Sequence, residues 1–202
     1  MATLNPLEEG QRVLHDTLTP KCPETADIRL NHTMLRVADP ARSIRFYADI
    51  FGMSLIFRFA AGPITVYYLG HASPDDKIPA DMARGGLGTK SGLLELVHVH
   101  EEQGAADLDG AAHLAGTPEG RFGFGHLGFN VPDVDQVLER ARQQGYSVLK
   151  TRADTSERKL DLPRYVPEGS FHPSFLVAYT QVGFLRDPDG YSIEVVPKVT
   201  KR

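Results

Sequence analysis

Residues 32–52 read HTMLRVADPARSIRFYADIFG, and residues 126–145 read HLGFNVPDVDQVLERARQQG. The two stretches follow one plan. Each opens on His at the start of a strand-like segment, reaches an Asp beside a Pro, continues with apolar residues at helical spacing and closes on Gly. Repetition of this kind is weighed before any other fold argument, because missing it misassigns the whole chain. Asp39 can cap a helix whose first position is Pro40, where a missing N–H costs nothing. Asp133 can cap the second helix. Ile44, Tyr47 and Phe51 recur on one face of the first; Val134, Val137, Leu138 and Ala141 make one apolar stripe on the second. Gly52 and Gly145 suit left-handed C-terminal caps.

β-rich sequence follows each helix. MSLIFRF (53–59), PITVYYLG (63–70) and GLLELVHV (92–99) follow the first, and YSVLK (146–150), VGFLRDPDG (182–190) and YSIEVV (191–196) the second. Each half therefore reads β-α-β-β-β, and the expected fold class is α+β with paired βαβββ modules. The expected layout is an N-terminal extension over 1–27, with a short helix using Leu7, Val13, Leu14 and Leu18, and a first module over 28–103. A linker over 104–120 leads to a second module over 121–202, carrying an inserted loop at about 153–180. That insertion and the polar, Gly- and Pro-rich stretch 71–89 both exceed ordinary loop lengths.

Bulk properties narrow the function classes. The chain has 202 residues, 41% hydrophobic and 24% charged, ordinary values for a soluble globular protein. Its net charge is -4, and no cluster of Lys and Arg offers a basic face, which argues against a nucleic-acid partner. One cysteine, Cys22, rules out an intrachain disulfide and fits a reducing compartment. No apolar run approaches the roughly 20 residues of a membrane span, and the first twenty residues lack a secretory apolar core. The expectation is a cytoplasmic protein with no membrane partner.

Strand alternation decides which side chains can meet. His32, Met34 and Arg36 share one face of the first strand. Glu95 shares its face with Leu93 and Val97, while Leu94, Leu96 and His98 point away. Glu194 lies opposite Ile193 and Val195. A carboxylate flanked by apolar residues in a buried strand is costly unless it is paired or bound to metal. Each half thus supplies one His on its first strand and one Glu on its last. If a pseudo-twofold axis relates the halves, His32, Glu95, His126 and Glu194 converge. Imidazole with carboxylate suits Zn(II), Ni(II), Co(II) or Mn(II), with water completing the shell. His98 and His100 fall off the inferred face, and DPDG (187–190) reads as a turn that positions Glu194.

These same segments resemble glyoxalase I, the lactoylglutathione lyases of the vicinal oxygen chelate superfamily. HTMLRVADPARSIRFYADIFGMSL (32–55), GLLELVH (92–98), GFGHLGFNVPDV (123–134) and FLRDPDGYSIE (184–194) are similar to that family's signature segments, in order, over about 30 to 198. The resemblance implies the glyoxalase/bleomycin resistance/dioxygenase-like fold and one divalent metal ion per site on His32, Glu95, His126 and Glu194. It implies isomerisation of the hemithioacetal of methylglyoxal and glutathione to S-lactoylglutathione through an enediolate. Glu194 would remove the C1 proton and return it to the next carbon; Glu95 would be the second catalytic carboxylate. Glutathione would enter as part of the substrate, and the chain would form a homodimer. His32 resembles bacterial members, while the N-terminal extension and the insertion after Gly70 resemble the longer members that favour zinc, so the metal is expected to be Zn or Ni, with Co usable. Arg36 matches an arginine that meets a glutathione carboxylate in relatives. A second such Arg is replaced by Phe122, with Arg121 one place away. Val99-His100 stand where relatives carry Asn-Trp, and RKLDLPRYVPEGSFHPSFLVAYTQ (158–181) replaces a lysine-containing loop.

These departures keep a second expectation open: a glyoxalase-like isomerase acting on a different, non-glutathione metabolite. A ring-cleaving iron oxygenase of the superfamily would use two His and one carboxylate, and Glu95 as a fourth ligand counts against it. A drug-sequestering module would need no metal set.

Overall fold

The computed structural model describes residues 6–13, 22–71, 90–100, 124–159 and 166–198. The first module contains β1 (His32–Arg36), α1 (Pro40–Phe51), β2 (Ser54–Ala60), β3 (Ile64–Gly70) and β4 (Leu93–Val99). The second contains β5 (His126–Val131), α2 (Val134–Gln143), β6 (Val148–Lys150), β7 (Gly183–Arg186) and β8 (Ser192–Pro197). A further helix, α3 (Pro173–Tyr179), lies between β6 and β7. The strands form two four-stranded sheets, ordered β1-β4-β3-β2 and β5-β8-β7-β6. In both, the first and last strands pair parallel and the other neighbours pair antiparallel. The paired βαβββ expectation is what the chain adopts.

The helix ends behave as their sequences require. Asp39 Oδ1 accepts from the N–H groups of Ala41 and Arg42, and Gly52 closes α1 at φ 71°. Asp133 accepts from Gln136 N–H, and Gly145 follows α2 at φ 82°. The apolar stripe of α2 is as expected: Val134, Val137, Leu138 and Ala141 are all buried. That of α1 is rotated. Its buried residues are Ser43, Phe46, Tyr47 and Ile50, while Ile44 and Phe51 are only half-buried. The cause is a second neighbour, because α1 packs on the other module as well as on its own sheet. Phe46 meets Tyr146 edge-on at 4.8 Å, Phe51 stacks on Phe129 at 4.1 Å, and Arg140 Nη1 donates to the Ile50 carbonyl. One apolar cluster runs through both modules, from Leu35, Tyr47 and Leu96 to Leu138, Ile193 and Val195.

Polar contacts clasp the modules as well. Asp189 accepts from Ala38 N–H at 2.9 Å and from the Ser43 hydroxyl at 2.7 Å, and Arg42 donates to the Pro188 carbonyl. Asp187 accepts from the Tyr47 hydroxyl at 2.8 Å and from the N–H groups of Asp189 and Tyr191. The Tyr191 hydroxyl donates to the Arg36 carbonyl. DPDG is thus more than the turn that positions Glu194; it also fastens the second module to the start of α1. Burial pushes the Asp187 carboxyl up to about 6, against the pull of the Tyr47 hydrogen bond. Burial also pushes the Tyr47 hydroxyl well above its usual range, with the Asp187 charge adding to it.

Two expected features differ. Residues 6–13 of the extension form no helix; a turn at Glu9–Gly10 interrupts them, with Gly10 at φ 76°, and Leu7 and Val13 are exposed. An amphipathic stretch gains little from a helix unless a surface takes up its apolar face. Leu14 and Leu18, the linker 104–120 and residues 72–89 lie outside the described residues. The insertion 153–180 holds a 3-10 turn at Glu157–Lys159 and helix α3 rather than loop alone. His172 Nδ1 accepts from Ser174 N–H at the head of α3, Pro173 takes the first position, and Phe171, Phe175 and Tyr179 contact one another at i,i+4 spacing.

Candidate metal centre

Each sheet buries one face under its helix and leaves the other more open. On β1, Leu35 is buried, while Met34 and Arg36 are exposed on the opposite face, which His32 shares. On β4, Leu94 and Leu96 are buried and Glu95 alternates with them. Met34 pairs with Glu95 in the β1–β4 register, and His32 Nε2 comes to 3.0 Å from Glu95 Oε2. The second module repeats the arrangement. Gly128 pairs with Glu194, Ile193 and Val195 are buried, and His126 Nε2 lies 3.3 Å from Glu194 Oε2.

Asn31 sets the state of the His32 ring. Its amide nitrogen donates to the Lys90 carbonyl, so its oxygen faces His32 Nδ1 at 2.8 Å. An acceptor there keeps the ring proton on Nδ1 and turns the Nε2 lone pair toward Glu95. An Nε2 lone pair and a carboxylate oxygen at 3.0 Å repel each other unless a proton or cation lies between them. Two ligands bound cis to one ion at ~2.1 Å stand roughly 3.0–3.4 Å apart. Both His–Glu pairs match that spacing, so donor chemistry and separation fit a divalent ion.

The two pairs stay separate. Among the described residues, no group of three or more His, Cys, Asp or Glu side chains lies close enough to hold a metal ion. Among the described residues, the four side chains expected to converge form two separate His–Glu pairs, one in each module.

The surroundings of the pairs differ. The Tyr68 ring of β3 lies edge-on to His32 at 5.3 Å, with its hydroxyl 3.5 Å from Nε2. Burial, then the nearby Glu95 charge, raise the Tyr68 pKa. In the second module, Phe184 lies edge-on to His126 at 5.6 Å, and Tyr179 of α3 stacks on Phe184. The end of α3 is pinned by Lys150, whose buried ammonium donates to the carbonyls of Thr151, Tyr179 and Val182. Asn31 and Tyr68 were not singled out from the sequence. Alternation along PITVYYLG puts Tyr68 and Tyr67 on opposite faces, but only the strand register shows that Tyr68 stands opposite Glu95.

Arg36 is exposed on the His32 face. Arg121 and Phe122 lie outside the described residues. His98 bonds to the Val37 carbonyl and His100 to the Thr65 hydroxyl, both away from the pairs.

The pattern of the Glyoxalase/Bleomycin resistance protein/Dioxygenase superfamily matches residues 29–195. The chain belongs to this superfamily. It is 33% identical to lactoylglutathione lyase of Pseudomonas putida over 178 residues, covering 86% of this chain and 87% of that protein. It is 32% identical to lactoylglutathione lyase of Pseudomonas aeruginosa over 176 residues, covering 85% and 84%. The crystal structure of glyoxalase I from Zea mays has the same fold, with a TM-score of 0.50 at 19% identity. That match covers 86% of this chain and 46% of the maize chain. Membership of the superfamily agrees with the paired βαβββ modules.

Proposed function

We propose that this protein is a metal-dependent isomerase that converts the hemithioacetal of methylglyoxal and glutathione to S-lactoylglutathione. The observation that carries the reading is the pair of His–Glu contacts at equivalent register positions, His32–Glu95 and His126–Glu194, each spaced for one ion. The names of the Pseudomonas relatives point to the same reaction.

Since one chain presents two separate half-sets, the working unit is a homodimer. His32 and Glu95 of one protomer face the partner's His126 and the partner's Glu194, giving two complete sites. Leu30, Met34, Phe59 and Val99 in and around the first sheet are exposed and apolar, as a surface covered on assembly would be. The ion is Zn(II) or Ni(II), with Co(II) able to replace it. The setting is the reducing cytoplasm, in keeping with a lone, unpaired Cys22.

A bound divalent ion supplies Lewis-acid stabilisation, on the order of several kcal/mol, for the negative charge that develops on the substrate oxygens. The residues do the rest. Glu194 takes the C1 proton of the hemithioacetal, and the same carboxyl delivers it to the adjacent carbon, leaving the thioester. Glu95 is the matching second carboxylate. Arg36 meets one carboxylate of the glutathione moiety, and Arg121 is assigned the other.

The test is thioester formation from methylglyoxal with and without glutathione, on protein stripped by chelator and then reloaded with Ni(II), Co(II) or Zn(II). Activity lost on stripping and restored on loading is expected. Metal-free protein that remains active refutes the metal assignment. A second reading, an isomerase for a non-glutathione metabolite, draws on Val99 exposed on β4 and on α3 packed over Phe184. Failure of metal-replete protein to turn over the glutathione adduct would promote it.

A further inference from the structure

β4 and the residue after it carry metal-ligating side chains on both faces. Glu95 lies on the open face. On the other, the line of buried Leu94 and Leu96 continues into half-buried His98 and exposed His100. These two rings stand 5.7 Å apart centre to centre, with their planes inclined at 54°. The backbone around them is held from either side: Val37 N–H donates to the Val97 carbonyl, and His100 N–H to the Pro63 carbonyl. Each ring has one nitrogen engaged. His98 Nδ1 meets the Val37 carbonyl at 3.2 Å; a carbonyl only accepts, so the proton sits on Nδ1 and the lone pair on Nε2. His100 Nε2 meets the Thr65 hydroxyl at 2.8 Å. A hydroxyl accepts as readily as it donates, so it can hold the proton there and leave the lone pair on Nδ1. Metal-binding histidines have this arrangement, with the ring N–H tied to an acceptor such as a backbone carbonyl and the other nitrogen free for the ion.

We propose that His98 and His100 form a second transition-metal site, separate from the His–Glu pairs, which takes a borderline divalent ion such as Zn(II) or Cu(II) through His98 Nε2 and His100 Nδ1. An ion ~2.1 Å from an imidazole nitrogen lies ~3.2 Å from the ring centre, so two rings sharing one ion stand roughly 4.5–6.4 Å apart as the angle at the ion opens from a right angle to a straight line. The observed separation falls inside that span. Among the described residues no group of three or more His, Cys, Asp or Glu gathers here, so water takes the remaining positions and the ion stays exchangeable. Two donors already held side by side bind an ion about 10²–10⁴-fold more tightly than either alone. Through Val37 and Thr65, which hold the two rings, a bound ion also ties the end of β4 to the neighbouring strands and so stabilises the first module.

The experiment titrates the full chain, freed of metal by chelator, with Cu(II), the tightest-binding divalent ion of the first transition row. The parent carries His32→Gln and His126→Gln, which take one imidazole from each His–Glu pair, so failure of the metal centre proposed above does not bear on the result. The parent is expected to bind a tight equivalent of Cu(II) whose pulsed electron paramagnetic resonance shows two imidazoles. Adding His98→Gln or His100→Gln should weaken that equivalent by about 10²-fold or more and leave a single imidazole in the signal. His100 is exposed beyond the strand end, so its replacement tests the site with the fold intact, as far-ultraviolet circular dichroism verifies. Cu(II) affinity that neither substitution changes overturns the proposal. So does a single-imidazole signal in the parent.

Discussion

Asp187→Asn should remove a loss of stability that the wild-type protein suffers as pH rises from about 4 to about 7. Asp187 lies in the clasp between the modules, with its carboxyl raised from 3.8 to about 6 by burial. The folded state therefore holds this proton more tightly than the unfolded chain does. The stability it contributes is complete below the unfolded value and is lost as pH climbs through the folded one. A shift of roughly two units, at about 1.4 kcal/mol per unit, gives about 3 kcal/mol. Asn is neutral throughout this range. Its oxygen can still accept from Asp189 N–H and Tyr191 N–H, and its amide can donate to the Tyr47 hydroxyl. Urea unfolding followed by far-ultraviolet circular dichroism, at fixed protein and metal concentration, measures both proteins across the range. The difference between variant and wild type should grow in the variant's favour by about 3 kcal/mol, mostly below pH 6. Carboxylates of opposite sense cancel in that difference; one is Asp154, held down at about 2, chiefly by its hydrogen bond from Lys159. Stability curves that stay parallel from pH 4 to 7 refute the assignment of a raised Asp187.

Glu194→Gln should keep its metal and lose about 10²-fold or more in rate, the usual scale for a general base; near-normal turnover would transfer that role to Glu95. Asn31→Ala should weaken metal binding by about ten-fold or more, since nothing would then hold the proton on His32 Nδ1; unchanged affinity in a chelator titration would show that the ring needs no such partner. Arg36→Ala should raise KM for the glutathione adduct several-fold with little change in kcat, the mark of lost uniform binding; steady-state kinetics that match wild type would remove Arg36 from the substrate site.

The repeat made the modules and their His–Glu pairs legible. Alternation placed His32 and Glu95 on one face and Leu35, Leu94 and Leu96 on the other, and the second half says the same with Glu194, Ile193 and Val195. Those are local properties of single strands. What eluded the sequence depends on partners distant along the chain. The clasp joins Ser43 and Tyr47 to Asp189 and Asp187, about 140 residues away. No short motif announces that Asp187 serves a helix in the other half. The same distance explains the rotated burial of α1, whose second neighbour is invisible to a helical wheel. Tyr68 and Asn31 needed the register and a hydrogen-bond partner at Lys90, respectively. Helix α3 was hidden by its brevity, since its seven residues, Pro173–Tyr179, are about two turns and too few for a periodic signal.

The position of the ligand-bearing strands within each sheet bears on how a centre built from them would come apart. Among the described residues, β4 and β8 are inner strands, hydrogen-bonded on both sides, whereas β1 and β5 are edge strands bonded on one side only. Glu95 and Glu194 therefore ride on the ladders that open last, and His32 and His126 on those that fray first. Thermal or denaturant stress would detach imidazole before carboxylate, leaving an ion tethered through oxygen to the most durable part of each module and ready to be recaptured when the outer strand closes again.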